Sequence, residues 1–227
     1  MIPDQRQSES DADAIADALK ASLAAAENHN APYRHWILRN LLPPHILRAM
    51  QAIEFSPPDL DGVSGKRELH NDQRHYVDRE NMARFPAMAA LGEAFQSEGV
   101  VQEIAEICGA DLDGTCLRIE YAVDATGFWL QPHTDLGVKR FTMLLYISNA
   151  HGQSDLGTDI YNSDKSWAKR TPFEPNLALV FVPDATTFHG FEPRSVAGVR
   201  KSLIVNYVTA DWRDREQLAF PNKPLSL

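Results

Sequence analysis

Eight histidines are the first place to look for chemistry, because a neutral imidazole is the commonest metal ligand and titrates near neutral pH. The pattern His-x-Asp occurs twice, as His70-Asn71-Asp72 and as His133-Thr134-Asp135. A motif this short arises by chance, so context must separate the copies. Residues two apart on a strand project to one face, and His133 and Asp135 close a strand-like run, whereas His70 and Asp72 sit in an unpatterned polar stretch. His189, inside the strand-like run 186–191, offers a third ligand if the two strands are neighbours. Two imidazole nitrogens and one carboxylate oxygen on one face of an octahedron suit Fe(II) and leave three adjacent positions open, an arrangement for catalysis and not for structure. A single histidine in a strand is more often a hydrogen-bonded core residue. The argument rests on the joint spacing of the three.

Three cations follow His189 within twelve residues: Arg194, Arg200 and Lys201. Arg200 opens an aliphatic run to Tyr207, and a period of two places Arg200, Ser202, Ile204 and Asn206 on one face, with Lys201, Leu203, Val205 and Tyr207 on the other. A buried guanidinium there requires an anion. Its planar fork matches a carboxylate with two parallel hydrogen bonds, to which the Ser202 hydroxyl adds a third. Lys201 would bring Leu203 and Val205 inward with it and turn Ser202 away, so Arg200 ranks ahead of Lys201, with Arg194 third.

The elements that must position these residues divide the chain in two. The alanine-rich stretch 11–27, with Ile15, Leu19 and Leu23 four apart, predicts a helix with one thin apolar stripe after a disordered tip. A strand over 33–38 and a helix over 43–53, opened by Pro43-Pro44, come next. Helices follow over 81–98 and 100–108, with Gly109 as a cap. From Thr115 the pattern changes to strands near 116–123, 128–133, 140–148, 159–161, 177–182, 186–191 and 200–209. This is an α+β chain, mainly β, with N-terminal helices packed on an antiparallel double-sheet half. Between the halves, the aperiodic stretch 59–78 holds Lys66, Arg67, His70, Arg74 and His75. A long polar loop of this kind is a connection or a cover over a site. Its local basicity points to an anionic or carboxylate-bearing substrate. Trp129 and Trp167 are candidates to line the pocket.

Composition narrows the partners. Acids exceed bases by 31 to 22, giving a charge of −9, which repels nucleic-acid phosphates and anionic lipid alike. Two cysteines, Cys108 and Cys116, are too few for a disulfide framework. No apolar stretch approaches the ~18 residues of a membrane span, and the first ten residues are polar and acidic, unlike a signal peptide. A reducing cytoplasm is the expected location.

The residues 127–135 (Gly-Phe-Trp-Leu-Gln-Pro-His-Thr-Asp), the downstream His189, and 198–203 (Gly-Val-Arg-Lys-Ser-Leu) together resemble the Fe(II)/2-oxoglutarate-dependent dioxygenases, within them the prolyl-hydroxylase-like group. The resemblance spans 36–208 and implies a double-stranded β-helix, a jelly-roll variant, with Fe(II) held by His133, Asp135 and His189. It further implies that Arg200 anchors the distal carboxylate of 2-oxoglutarate, with Ser202 and Tyr121 as added donors. Molecular oxygen would be consumed, with succinate and CO2 as co-products. The substrate class is open between a small metabolite and a protein side chain. Asp135 is lacking in typical halogenating relatives, so hydroxylation is the implied outcome. The stretch 122–126 looks enlarged beside the family's tyrosine strand, and its Gly-Gly motif is only partly present, as Leu156-Gly157-Thr158. The resemblance also implies one oxygenase domain over 31–227 with 1–30 as an extension. A cupin-like metal enzyme without 2-oxoglutarate and a non-catalytic jelly-roll binding module are the competing readings. The inward arginine separates the first of these from the oxygenase, and metal content the second.

Overall fold

Proline decides where the helices break. In the computed structural model, which describes residues 5–57, 65, 74–135, 137–148 and 151–227, the stretch expected as one helix over 81–98 is two: α3 (Arg79–Arg84) and α4 (Pro86–Gln96). Pro86 has no N–H to donate and disfavours helical backbone at the residue before it, and Phe85 accordingly adopts φ −124°, ψ 104°. Asp78 caps α3 by accepting from the Asn81 N–H at 2.8 Å. The other helices are α1 (Gln5–Ala24), α2 (Pro44–Gln51) and α5 (Glu98–Cys108), the last ended by Gly109 at φ 70°. Ile15, Leu19 and Leu23 of α1 are buried in the same core as α4 and α5, so the N-terminal stripe packs on the body of the molecule. The helix begins at Gln5, six residues before the expected start at Asp11, so most of the stretch expected as a disordered tip is helical, and only residues 1–4 lie outside the described residues.

Among the described residues eleven strands form two antiparallel sheets. They are β1 (Glu27–His29), β2 (His35–Arg39), β3 (His75–Tyr76), β4 (Cys116–Asp124), β5 (Leu130–His133), β6 (Lys139–Tyr146), β7 (Asp159–Tyr161), β8 (Trp167–Arg170), β9 (Leu177–Phe181), β10 (His189–Phe191) and β11 (Arg200–Val208). The larger sheet runs β1-β2-β9-β6-β11-β4-β3 and the smaller β5-β10-β7-β8. Strands β1, β3 and β8 have no counterpart in the sequence reading. They are short edge or near-edge pieces, and Trp-Ala-Lys-Arg in β8 lacks the apolar alternation that marks a half-buried strand. Strand β10 begins later than expected because Asp184 turns the chain, its carboxylate accepting from the N–H groups of Thr186 and Thr187.

Two cores lie on opposite faces of the larger sheet. Leu117, Ile119, Tyr121 and Val123 of β4, with Leu203, Val205 and Tyr207 of β11, pack against the helices. Tyr146, Leu179 and Phe181 on the other face pack against Ile160 and Phe191 of the smaller sheet. The period of two therefore sends alternate residues of β4, β6 and β11 into a space between the sheets, where the polar side chains of the site gather.

Candidate metal centre

Strands β5 and β10 pair so that His133 and His189 stand directly opposite, with ring centroids 4.4 Å apart. Each imidazole is oriented from its own strand. The Nδ1 of His133 lies 2.9 Å from the Gln131 carbonyl oxygen, and the Nδ1 of His189 lies 3.0 Å from that of Thr187. A carbonyl only accepts, so Nδ1 carries the proton and Nε2 keeps its lone pair for a ligand bond. Burial pushes the pKa of His189 down to about 4, which keeps it neutral.

Asp135 completes the set. The ligand atoms of His133, Asp135 and His189 lie within 4.8 Å of one another, a cluster unique among the described residues. Burial works to raise the Asp135 pKa, but the Lys139 ammonium at 2.5 Å from Oδ1 and the Thr142 hydroxyl donating to Oδ2 at 2.5 Å hold it well below the usual carboxylate range. Two imidazole nitrogens and an ionised oxygen converge, a donor set that fits ferrous iron.

Glycine permits this pairing. A Cβ on Gly190 would lie 2.8 Å from the Leu130 carbonyl oxygen, closer than side chains tolerate against backbone. Gly190→Ala is therefore expected to push β10 from β5 and spread the two imidazoles, weakening iron binding by roughly tenfold or more, as displaced outer-shell support does in metal sites. Anaerobic iron titration of the variant measures this, and unchanged affinity would show that the strand spacing is not what sets the site.

Arg200 lines the same cavity as the three ligands. It is buried, with Nη1 donating to Asp124 Oδ2 at 2.6 Å and Nε to the Leu156 carbonyl at 2.8 Å, and it lies over the rings of Phe191 and Tyr146. Ser202 shares that face, opposite Ala122 on β4 and Tyr146 on β6. Tyr121 does not. Register places it opposite Leu203, on the helix side, and its hydroxyl donates to the Met50 carbonyl at 2.7 Å. The expectation that Tyr121 contacts the cosubstrate is thus corrected: one residue of strand parity turns it away from the cavity.

Lys201 also faces the helices, donating to the carbonyls of Gln51 and Ile53, and Arg194 is held by Asp159 and the Gly157 carbonyl. Neither lines the cavity. Trp167 is half exposed and Trp129 packs on Gly65, so neither tryptophan expected in the pocket lines it. His70 and Asp72, with most of the stretch 59–78, lie outside the described residues.

No protein-family model matches this sequence, and no curated protein matches it at significant similarity. Solved structures do. A prolyl-4-hydroxylase from Pseudomonas putida superposes with a TM-score of 0.54 at 16% identity, covering 86% of this chain and 98% of that one. A prolyl hydroxylase from Trichoplax adhaerens, in complex with a hypoxia inducible factor peptide fragment, gives 0.56 at 14%, covering 90% and 91%. The chain has the prolyl-hydroxylase fold. A non-heme alpha ketoglutarate dependent carbocyclase from nogalamycin biosynthesis shares it at a TM-score of 0.50 and 13% identity, covering 78% and 80%.

Within this prolyl-hydroxylase fold, several cavity residues escape a reading of the sequence. Lys139 and Thr142 follow Asp135 at four and seven residues, a local spacing that a search for carboxylate partners finds. Thr158, which lines the cavity, is held by Tyr146 behind it: the Tyr146 hydroxyl donates to Thr158 Oγ1 at 2.7 Å and accepts from the Thr158 N–H at 3.0 Å. Arg74, Arg118, Glu120 and Trp212 also line the cavity, and only tertiary structure unites them.

Proposed function

We propose that the chain is an Fe(II)- and 2-oxoglutarate-dependent dioxygenase that hydroxylates a small metabolite or a protein side chain on a jelly-roll core. The observation that carries this is the convergence of His133, Asp135 and His189 within 4.8 Å, facing a cavity that also holds a buried arginine. Iron and 2-oxoglutarate, when bound, supply oxidising power: the cosubstrate loses CO2 to become succinate while one oxygen atom of O2 goes into a C–H bond of the substrate.

The chain's own residues hold and shape that chemistry. The Gln131 and Thr187 carbonyls fix both imidazoles as Nδ1–H tautomers, and Lys139 with Thr142 holds Asp135 ionised and oriented. Arg200 would take the distal carboxylate of 2-oxoglutarate with the Ser202 hydroxyl beside it, since its Nη1 is committed to Asp124 while Nη2 remains for an incoming anion. Phe128 and Phe191, with rings 5.4 Å apart, wall the cavity and limit water. A metal enzyme lacking the cosubstrate has no need of an inward guanidinium, and a binding module has no need of the ionised Asp135 beside two imidazoles.

Residues 31–227 would form the oxygenase domain with 1–30 as its extension. The buried free cysteines Cys108 and Cys116 fit a reducing cytoplasm, and no helix among the described residues is long and apolar enough to cross a membrane.

Anaerobic Fe(II) and 2-oxoglutarate are expected to stabilise the protein together. Ligand at 100 times its dissociation constant adds about 2.7 kcal/mol, which for a chain of this size is roughly 5–10 °C in melting temperature. No shift with either ligand would overturn the proposal.

A further inference from the structure

One wall of the cavity presents donors that the described residues leave unsatisfied. Arg118, on the inward face of β4, is 2% exposed and clamped between the rings of Tyr76 at 4.8 Å and Trp212 at 4.9 Å. It donates to Gln217 at 3.0 Å, Asn206 at 3.3 Å and Glu120 Oε2 at 3.2 Å. The other oxygen of Glu120 lies 3.6 Å from Nε of Arg74, so two guanidiniums share this carboxylate and the wall keeps an excess of positive charge among the described residues. Trp212 Nε1 is buried without a hydrogen-bond partner there, and Arg74 Nε has only the 3.6 Å ion pair with Glu120, beyond hydrogen-bond distance. Both groups can only donate, and a buried donor without an acceptor is a cost that the structure carries until something supplies one.

This wall is joined to the metal ligands yet separate from Arg200. Asn206 donates to Thr142 Oγ1 at 2.9 Å, and Thr142 donates to Asp135, so Arg118 connects to a ligand through two intervening side chains. Arg118 pairs with Asn206 at one end of the β4–β11 ladder, whereas Arg200 pairs with Asp124 at the other. Six residues of strand put these ends roughly 20 Å apart along the backbone. Between them Leu144 stands opposite Ile204 and forms an apolar patch of the lining. The cavity therefore has two cationic poles, and one cosubstrate carboxylate occupies only one of them.

We propose that the Arg118 pole anchors the substrate, and that the substrate is a small carboxylic acid with an apolar body. Its carboxylate accepts from Arg74 and Trp212, its charge offsets the excess left by Glu120, and its body lies over Leu144 and Ile204 toward the metal ligands. Arg118 is a positioning residue, since each of its three nitrogens already donates within the protein. This inference rests on the oxygenase reading of the same site.

The test uses the full chain loaded anaerobically with Fe(II) and saturating 2-oxoglutarate, so that the Arg200 pole is filled. Calorimetry then compares 3-phenylpropionate and hexanoate with their neutral amides. At least one acid is expected to bind about tenfold or more tighter than its amide, the loss that follows when a charge-assisted hydrogen bond is removed. Arg74→Gln and Trp212→Phe, conservative changes that spare the clamped Arg118, are each expected to weaken that acid several-fold and its amide by distinctly less, since the amide carbonyl accepts without a charge. Amides that bind as well as acids, acids that fail to bind the loaded protein at millimolar concentration, or variants with native acid affinity would each overturn the proposal while leaving the oxygenase reading standing. Failure of the protein to load iron and 2-oxoglutarate would remove both.

Discussion

His133→Ala is expected to abolish stoichiometric iron binding and, with it, succinate formation from 2-oxoglutarate. Two features of the site make the effect large. His133 is one of only two nitrogen donors in the cluster, and its partner His189 is set directly across the β5–β10 ladder, so no neighbouring histidine among the described residues stands ready to replace it. Asp135 would then share the metal with a single imidazole, too few donors to hold ferrous iron against water. The contrast with an outer residue gives the scale. Thr142→Val keeps all three ligands and deletes one hydrogen bond to Asp135 Oδ2, a loss expected to cost ~10–100-fold in metal affinity. The His133 variant should fall well beyond that. Anaerobic dialysis with iron quantitation, read beside the succinate assay, separates the two. Iron retained at one equivalent in His133→Ala, with turnover intact, would move the centre elsewhere in the molecule.

How much of this is visible in the residues depends on how local the determinant is. His133 and Asp135 declare themselves because a strand repeat of two is enough to put both on one face, and Arg200 with Ser202 follows by the same parity. Tyr121 falls to the same logic: along β4, Arg118, Glu120 and Asp124 alternate with Leu117, Ile119, Tyr121 and Val123, so a period of two already sets Tyr121 on the apolar, helix-facing side, where Leu203 stands opposite it. The break at Phe85 was available from Pro86 alone, yet apolar periodicity running through it suggested one helix. Arg74, Arg118 and Trp212 come from three distant segments and meet through side-chain stacking that leaves no periodic trace. The partnership of Arg200 with Asp124 is hidden for the same reason, since the two are 76 residues apart.

That partnership shapes the second large effect. Arg200→Ala is expected to retain iron and lose 2-oxoglutarate affinity by ~2–5 kcal/mol, as truncation of one partner in a buried charged contact does. The same change strips Asp124 of a 2.6 Å ion pair in a site where both side chains are 5% exposed or less, and a buried charge left uncompensated costs ~3–5 kcal/mol of stability. A loss of cosubstrate binding could then reflect a distorted fold. The double variant Arg200→Ala/Asp124→Asn separates these origins: it removes the stranded charge, so urea unfolding should recover much of the lost stability, whereas 2-oxoglutarate affinity should stay low because the guanidinium is still missing. Arg200→Lys keeps a charge but not the fork, and its affinity is expected to lie between the native protein and the alanine variant. If the double variant recovers both stability and native cosubstrate affinity, Arg200 serves only to neutralise Asp124, and the anion anchor must be sought among the other cavity cations, with Lys139 beside Asp135 the nearest to the metal ligands.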